Sequence, residues 1–137
     1  MASETTLIYE LEPPIPFTVA DNTGIEKGAI LMLTDPMTAS LATGDDDMVA
    51  GIAAEEKIAN DGKTKLAVYR RGIFKGLAGA AGIAAGKAIG TWATTGATNE
   101  LHLCGAGHDN QLGHSLETAG DTETFLFELM PITRDEV

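Results

Sequence analysis

Short apolar runs alternate with turn-forming residues along the chain from Phe17 onward. Clusters such as Asp21-Asn22-Thr23-Gly24 and Asn60-Asp61-Gly62 are of the kind that favours turns. Between such clusters, the runs predict strands at residues 17–20, 29–33, 48–54, 65–70, 73–75, 87–93, 100–104, 112–116 and 124–130. Many short strands at this spacing are typical of a β-sandwich or a β-barrel. The pattern therefore predicts an all-β protein.

Helical signals are weak. Segment 77–89 is rich in Ala, but Gly79, Gly82 and Gly86 would each cost about 1 kcal/mol in a helix interior. Segment 50–59 could supply one short helical turn. We therefore expect mainly β structure, with at most one or two short helices.

The two halves of the chain resemble each other. The matched segments are 24–30 with 82–89, 49–55 with 111–117, and 61–68 with 120–127. The identity is weak, so chance similarity is the alternative explanation. If the halves are related, two β units closing on each other would make a small β-barrel or β-tulip without open edges. We expect residues 18–137 to form this domain, with pseudo-repeats at about 24–76 and 82–130.

Residues 1–17 read as an extended N-terminal arm. Its prolines fix φ and remove backbone donors, which argues against a helix and against a central strand. Its side chains are too apolar for a solvated tail. The arm either folds over its own domain or lies on a neighbouring protein, and extended peptides often bind through backbone pairing and apolar anchors. The second interpretation predicts a contact surface made of Leu7, Ile8, Tyr9, Leu11, Pro13, Pro14, Ile15, Pro16 and Phe17.

Charge and composition narrow the possible partners. The 137 residues carry a formal charge of -11. Nucleic-acid binding requires basic groups that displace counterions, and the longest basic run is Arg70-Arg71, so we expect no nucleic-acid partner. An anionic membrane surface would repel the chain too. Only 5% of the residues are aromatic, which predicts a thin core and some stability gained by oligomerisation or docking.

Cellular location and redox state follow from simple features. Cys104 is the single cysteine, so no intrachain disulfide can form. No apolar run approaches the roughly 18 residues of a membrane span. The N-terminus shows no basic region followed by an apolar stretch, so no signal peptide is visible. We expect synthesis in the cytosol.

Motifs for nucleotide or metal binding fail on spacing. Residues 82–88 resemble a phosphate loop, but three residues separate the glycines instead of four, and Ala88 replaces the required Ser or Thr. Zinc sites need four ligands, or three and water. His102, Cys104 and His108, completed by Asp109 or His114, lack a Cys-x-x-Cys motif and are joined by a Gly-rich link. Calcium loops place oxygens at alternate positions, which Asp45, Asp46 and Asp47 do not.

A catalytic set is also missing. No Gly-x-Ser-x-Gly elbow exists. His114 and Ser115 are adjacent, which on a strand points their side chains to opposite faces. The acidic residues lie mostly in turns, where solvated carboxylates are expected. We predict no enzymatic activity, no metal and no cofactor.

Residues 24–130 carry a family resemblance. The first-half motifs are Gly28-Ala29-Ile30-Leu31-Met32-Leu33-Thr34, Val49-Ala50-Gly51-Ile52-Ala53-Ala54 and Thr64-Lys65-Leu66-Ala67-Val68-Tyr69-Arg70-Arg71-Gly72-Ile73-Phe74. In this order they resemble the head decoration proteins of lambda-like phages and the wider capsid cement families with duplicated small β domains. The second half resembles their repeat at Ala85-Gly86-Lys87 and Gly113-His114-Ser115-Leu116-Glu117. The arm carries no matching motif.

The resemblance implies a β-tulip or β-barrel that forms a homotrimer. Such trimers sit at threefold or quasi-threefold positions on the outside of an icosahedral phage head and clamp neighbouring major capsid subunits. The expected partners are the major capsid protein and the chain itself. The expected location is the outer capsid surface of the virion, after synthesis in the host cytoplasm.

Two alternatives remain open. One is a structural component of a phage tail or head fibre. The other is a small acidic β-barrel that binds a ligand, which should have a cavity lined by larger side chains. Trp92, two Tyr and four Phe are few residues for such a lining.

Overall fold

The computed structural model describes residues 4–44, 48–92, 95–104 and 110–133. This part of the chain contains eleven strands and one helical turn, α1 (Thr95–Thr98). The strands are β1 (Thr6–Glu10), β2 (Ile15–Thr18), β3 (Ile30–Asp35), β4 (Thr38–Leu41), β5 (Val49–Ala53), β6 (Lys65–Tyr69), β7 (Gly72–Ala78), β8 (Ala88–Gly90), β9 (Glu100–Leu103), β10 (Asn110–Ser115) and β11 (Thr124–Thr133). The all-β prediction is confirmed.

The strands close into two barrels with the same connectivity. The first barrel comprises β2 to β6 in the order β2-β4-β3-β5-β6, closed by a parallel pairing between β2 and β4. The second barrel comprises β7 to β11 in the order β7-β11-β10-β8-β9, closed by a parallel pairing between β7 and β9. Strand β1 adds to β7 outside the second barrel. Closure protects strand edges that would otherwise be open to pairing with other chains.

Equivalent hydrogen bonds relate the two barrels. Gly28 N donates to Ala53 O in the first barrel, and Gly86 N donates to Ser115 O in the second. The N···O distance is 2.9 Å in both bonds. The isolated bridge between Ile25 and Lys57 likewise corresponds to one between residues 83 and 119. The prediction of two related β units is confirmed. However, each unit closes its own barrel, whereas the sequence pattern predicted that the two units would close a single one.

The unit boundaries differ from those drawn on the sequence. The first barrel begins at β2 and the second at β7, so each unit starts one strand before the repeats predicted at 24–76 and 82–130. The first predicted repeat also includes five of the seven residues of β7, which belongs to the second barrel. The reason is that β2 and β7 differ strongly in sequence, since β2 is Ile-Pro-Phe-Thr and β7 is rich in Gly.

Strand β5 joins the cores of the two barrels. All five of its residues are buried. Ala50 and Ala53 pack in the first barrel with Phe17, Leu66 and other residues. Val49 and Ile52 belong to the cluster that fills the second barrel, with Phe74, Phe125 and Phe127. A strand buried on both faces reads as a continuous apolar run, which is the pattern of Val49-Ala50-Gly51-Ile52-Ala53.

The N-terminal segment is part of the fold, which corrects the expectation of an arm that ends at residue 17. Its chain is extended, as predicted, but β1 pairs with β7 and β2 is a strand of the first barrel. Pro16 is accommodated because the pairing of β2 with β4 is limited to Thr18, so few donors are needed on that side. Strand β4, which follows the Asp35-Pro36 turn, was also missed, because its sequence Thr-Ala-Ser-Leu contains no apolar run.

Candidate functional site

Strand β1 presents apolar side chains to solvent. Its register with β7 pairs Leu7 with Phe74 and Tyr9 with Ile73, so Ile8 is an extra residue in a bulge. A bulge redirects the side chains around it. Ile8 is 41% exposed and Tyr9 is 65% exposed. The strand therefore attaches to the second barrel through its backbone while leaving large side chains outside.

The exposed apolar residues continue beyond β1 into the turn and the start of β2. Leu11 is 51% exposed and Ile15 is 40% exposed. We call Ile8, Tyr9, Leu11 and Ile15 the arm surface. Of the other large hydrophobic side chains that are exposed, Trp92 and Leu103 line one hollow of the second barrel, and the rest lie at separate places along the sequence. Clustered apolar exposure of this kind is typical of protein–protein contact sites.

The nine predicted contact residues therefore separate into two groups. Phe17 is 2% exposed and belongs to the core of the first barrel, so it is not available to a partner, whereas Leu7 is half-buried and packs against the core of the second. Pro13 and Pro16 are exposed and Pro14 is half-buried. The sequence could not separate the groups, because Phe17 and Tyr9 look equally suited to either role.

Residues before β1 anchor the arm surface to the first barrel. Thr5 is 3% exposed, and both its hydroxyl and its backbone N–H donate to the carbonyl of Gly28. A Cβ at Gly28 would lie 2.6 Å from the carbonyl oxygen of Thr5, and Gly28 has a φ of +84°. Glycine is therefore required here by both backbone conformation and close approach. The N-terminal segment thus contacts the first barrel through Thr5 and the second barrel through β1.

A cleft of about 280 Å³ lies between the N-terminal residues and the first barrel. The lining comprises Glu4, Thr5, Thr6, Leu7, Lys27, Gly28, Ala53, Ala54, Tyr69 and Phe74. Most of these residues could not be predicted from the sequence, because they come from distant positions with no shared motif. Only the extended, apolar character of residues 6–10 pointed to this region.

Acidic groups accompany the apolar ones. Glu4, Glu10 and Glu12 are all exposed. Tyr69, at the cleft, has a pKa raised by burial and by the nearby negative charge of Glu10. Residues 4–18 contain no Lys or Arg, so the arm surface is apolar with an acidic margin.

A second apolar area lies at one end of the second barrel. Two adjoining hollows of about 340 and 360 Å³ share Ala81, Gly82 and Leu103 as lining residues. Trp92 lines one hollow and stacks on His102, with ring centroids 5.1 Å apart. These hollows are shallower than the cleft beside β1, and no charged cluster marks them within the described residues.

The candidate metal ligands do not form a site within the described residues, and several of them lie outside those residues. His102 Nε2 is 3.3 Å from Glu100 Oε1, Cys104 Sγ is 3.8 Å from Asn110 O, and His114 is on β10 beyond β8. Asp45, Asp46, Asp47, His108 and Asp109 fall outside the described residues. In the described part of the chain, no three His, Cys, Asp or Glu side chains form a group that could hold a metal.

The segment that resembles a phosphate loop and the candidate nucleophile Ser115 both make contacts that stabilise the fold. Residues 82–87 form the turn before β8, in which Gly86 N donates to Ser115 O. Ser115 is fully buried and its hydroxyl donates to the carbonyl of Ala84. The absence of catalysis, metal and cofactor stays a prediction. Within the described ranges, no helix is long and apolar enough to span a membrane.

The architecture defines the chain as a two-barrel, all-β protein with an added N-terminal edge strand. No protein-family model and no curated protein matches it. Among solved structures, it is similar to the crystal structure of the head fiber gp8.5 N base of bacteriophage phi29, with a TM-score of 0.56. The similarity covers 89% of this chain and 98% of that chain at 14% sequence identity. At this identity, the likeness establishes a shared fold.

Proposed function

We propose that the protein is a structural, non-enzymatic component of a phage virion that binds the outer surface of the assembled head and bridges major capsid subunits. The observation that carries the proposal is the fold shared with a head fiber base over nearly the whole length of both chains. The resemblance of residues 24–130 to head decoration and capsid cement proteins supports the same class independently of that comparison.

The arm surface supplies the contact in this proposal. The four residues of the arm surface are apolar, whereas the chain as a whole has a formal charge of -11. The negative charge would limit nonspecific association elsewhere on the protein. Trimerisation would tie three arm surfaces together, so that after one docks the others bind at high effective concentration. Avidity of this kind can exceed single-site affinity by about 10²–10⁴-fold. A protein that binds only the assembled lattice stabilises the lattice by mass action.

A head-fibre component is the second candidate. One solved structure that shares this fold is the base of a head fiber, which supports this alternative as strongly as capsid bridging. The two candidates differ in what lies above the shell. A decoration protein caps subunit junctions, whereas a fibre base carries density that projects away from the head.

A ligand-binding barrel receives less support. The barrel interiors are filled, because Phe17, Leu66 and Val68 occupy the first barrel and Phe125 and Phe127 occupy the second with 2% exposure or less. A binding barrel requires an open, concave interior with a few polar groups. The cleft beside β1 lies outside both barrels.

Imaging of particles tests the proposal directly. Purified heads that lack this protein are mixed with the recombinant chain and examined by cryo-electron microscopy. The expected result is ordered density over junctions between capsid subunits, at threefold or quasi-threefold positions. Projecting density would favour the fibre alternative, and bare shells at saturating concentration would contradict both.

Exposed-residue variants assign the contact. The double change Tyr9→Asp with Leu11→Asp should reduce shell binding, because it places two charges in the arm surface. Ile58→Asp is the matched control, since Ile58 is a 68% exposed hydrophobic residue elsewhere on the chain. Unchanged binding by the double variant would move the contact away from the arm surface. Deletion of residues 1–17 is unsuitable, because it removes β2 from the first barrel.

A further inference from the structure

Strand β1 has an open edge. Among the described residues it pairs only with β7, so its other side has no strand neighbour. An unpaired edge offers N–H and C=O groups that can accept a strand from another chain. This is the geometry by which extended peptides add to an existing sheet.

The cleft that is lined in part by Thr6 and Leu7 of β1 adds a place for a side chain. Residues 4–7 form one wall, and Ala53, Ala54 and Tyr69 of the first barrel form another. Leu7 and Phe74 add apolar surface. A volume of about 280 Å³ fits one large apolar side chain. In strand addition, the backbone provides affinity and such a cleft provides specificity.

Charge indicates the chemistry of the incoming segment. Glu4, Glu10 and Glu12 are the only charged residues in 4–18. Glu4 and Lys27 both line the cleft, so the unbalanced acidic charge lies at the other end of β1, at Glu10 and Glu12. Opposite charges across neighbouring strands are stabilising and like charges are destabilising. A second copy of this edge would bring the same three carboxylates, whereas a segment with Lys or Arg would complement them.

We propose that the open edge of β1 and the adjacent cleft bind an extended segment of another protein by strand addition, with one large apolar side chain in the cleft and basic residues beside Glu10 and Glu12. The assignment of that segment to a major capsid subunit rests on the proposed function. The chemistry of the segment is independent of it.

Peptide selection tests this inference with the full chain. The immobilised protein selects from a library of random linear peptides, and enriched peptides are titrated in solution. Enriched sequences should alternate apolar residues with Lys or Arg. Ala54→Trp, which fills the cleft, should weaken binding at least about tenfold, equivalent to about 1.4 kcal/mol. Glu10→Lys with Glu12→Lys should shift the selection toward acidic peptides.

A matched control separates the cleft from general surface stickiness. Ala81→Trp adds the same ring to the hollow at the end of the second barrel and should leave peptide binding unchanged. Circular dichroism and thermal melting check that each variant folds. If Ala54→Trp does not fold, the exposed Glu10→Lys with Glu12→Lys variant decides the question. The proposal is overturned if no peptide is enriched, or if enriched peptides ignore both sets of changes.

The result is separable from the proposed function. Peptides that bind as expected, together with shells that the protein does not coat, would leave the strand-addition site standing and remove the capsid assignment. Coated shells with no peptide selection would do the reverse.

Discussion

Asn99 joins the second barrel to Gly28 of the first barrel by a buried hydrogen bond. Asn99 Nδ2 donates to the Gly28 carbonyl oxygen at a distance of 2.9 Å. Asn99 Oδ1 also accepts from the backbone N–H of Ile30 at 2.9 Å. The same Gly28 carbonyl accepts from Thr5. One carbonyl therefore receives donors from the N-terminal segment and from the loop before β9, which fixes β1 and both barrels relative to one another.

Replacing Asn99 should loosen this junction. Asn99→Ala leaves the buried N–H of Ile30 without its side-chain acceptor, which we expect to cost about 1–3 kcal/mol. Asn99 also has a φ of 59°, a conformation that Asn tolerates better than Ala. Urea unfolding measures the loss. Asn22→Ala, an exposed turn position, should stay within about 0.5 kcal/mol. Equal effects at the two positions would contradict the junction.

Local patterns were enough to predict the strand class and the duplication. The segments around Gly51 and Gly113 were matched from sequence, and both glycines pack their Cα against the backbone of the neighbouring strand. The match near Ile30 was off by one residue, since Ile30 pairs with Ile52 while Ala88 pairs with the equivalent His114. A one-residue shift inverts the faces of a strand, and only the pairing reveals it.

Long-range relationships could not be predicted. Pro13, Pro14 and Pro16 suggested a free arm, because nothing local shows that β2 pairs with β6. Asn99 belongs to no sequence motif, yet it contacts residues about seventy positions away. The cleft beside β1 likewise collects residues from five separate places in the sequence. Such features depend on the closure of the barrels rather than on any motif.

Close strand approach predicts severe effects at two equivalent glycines. A Cβ at Gly51 would lie 2.0 Å from Tyr69 O, and one at Gly113 would lie 1.8 Å from Glu128 O. Gly51→Ala and Gly113→Ala should each force strands apart and cost at least about 2 kcal/mol, comparable to an overpacked core. Chemical denaturation measures both. Gly62→Ala is the control: its Cβ would meet nothing within 4 Å, so only backbone strain of about 1 kcal/mol is expected.

Removal of a side chain should destabilise the protein strongly at Phe17 and hardly at all at Tyr9, although both residues lie in the N-terminal segment. Phe17→Ala removes a buried ring from the first barrel and should cost about 3–5 kcal/mol. Tyr9→Ala removes a mostly exposed ring and should stay within about 0.5 kcal/mol. Thermal and urea unfolding compare the two variants under one condition. A large loss for Tyr9→Ala would mean that β1 is structural rather than a binding surface.

The buried Lys57 predicts acid sensitivity in the first barrel. Its side chain is fully buried, and Nζ lies 2.7 Å from Asp61 Oδ1 and 3.1 Å from Asp21 Oδ1. Burial opposes the charge on Lys57, but hydrogen bonds from its ammonium to Asp61 and Asp21 raise its pKa overall. The hydrogen bond from Lys57 lowers the pKa of Asp61 from 3.8 to about 2. The second barrel has the uncharged Ala119 at the position equivalent to Lys57.

The sign of the pH effect follows from these shifts. A carboxyl group whose pKa is lower in the folded state stabilises the fold above its unfolded pKa and loses that contribution as pH falls. The stability contributed by Asp61 should therefore be complete above about pH 4 and decline toward pH 2. Because the pKa of Lys57 is raised, its contribution should decline only as pH rises above 10.5.

Asp61→Asn should be less stable than the parent near neutral pH, and the difference should shrink toward pH 2. Urea unfolding across this range measures it, with the exposed Asp121→Asn as a control that keeps the parent's pH profile. A difference between parent and Asp61→Asn that stays constant down to pH 2 would contradict the ion pair, because that pair requires an ionised carboxylate.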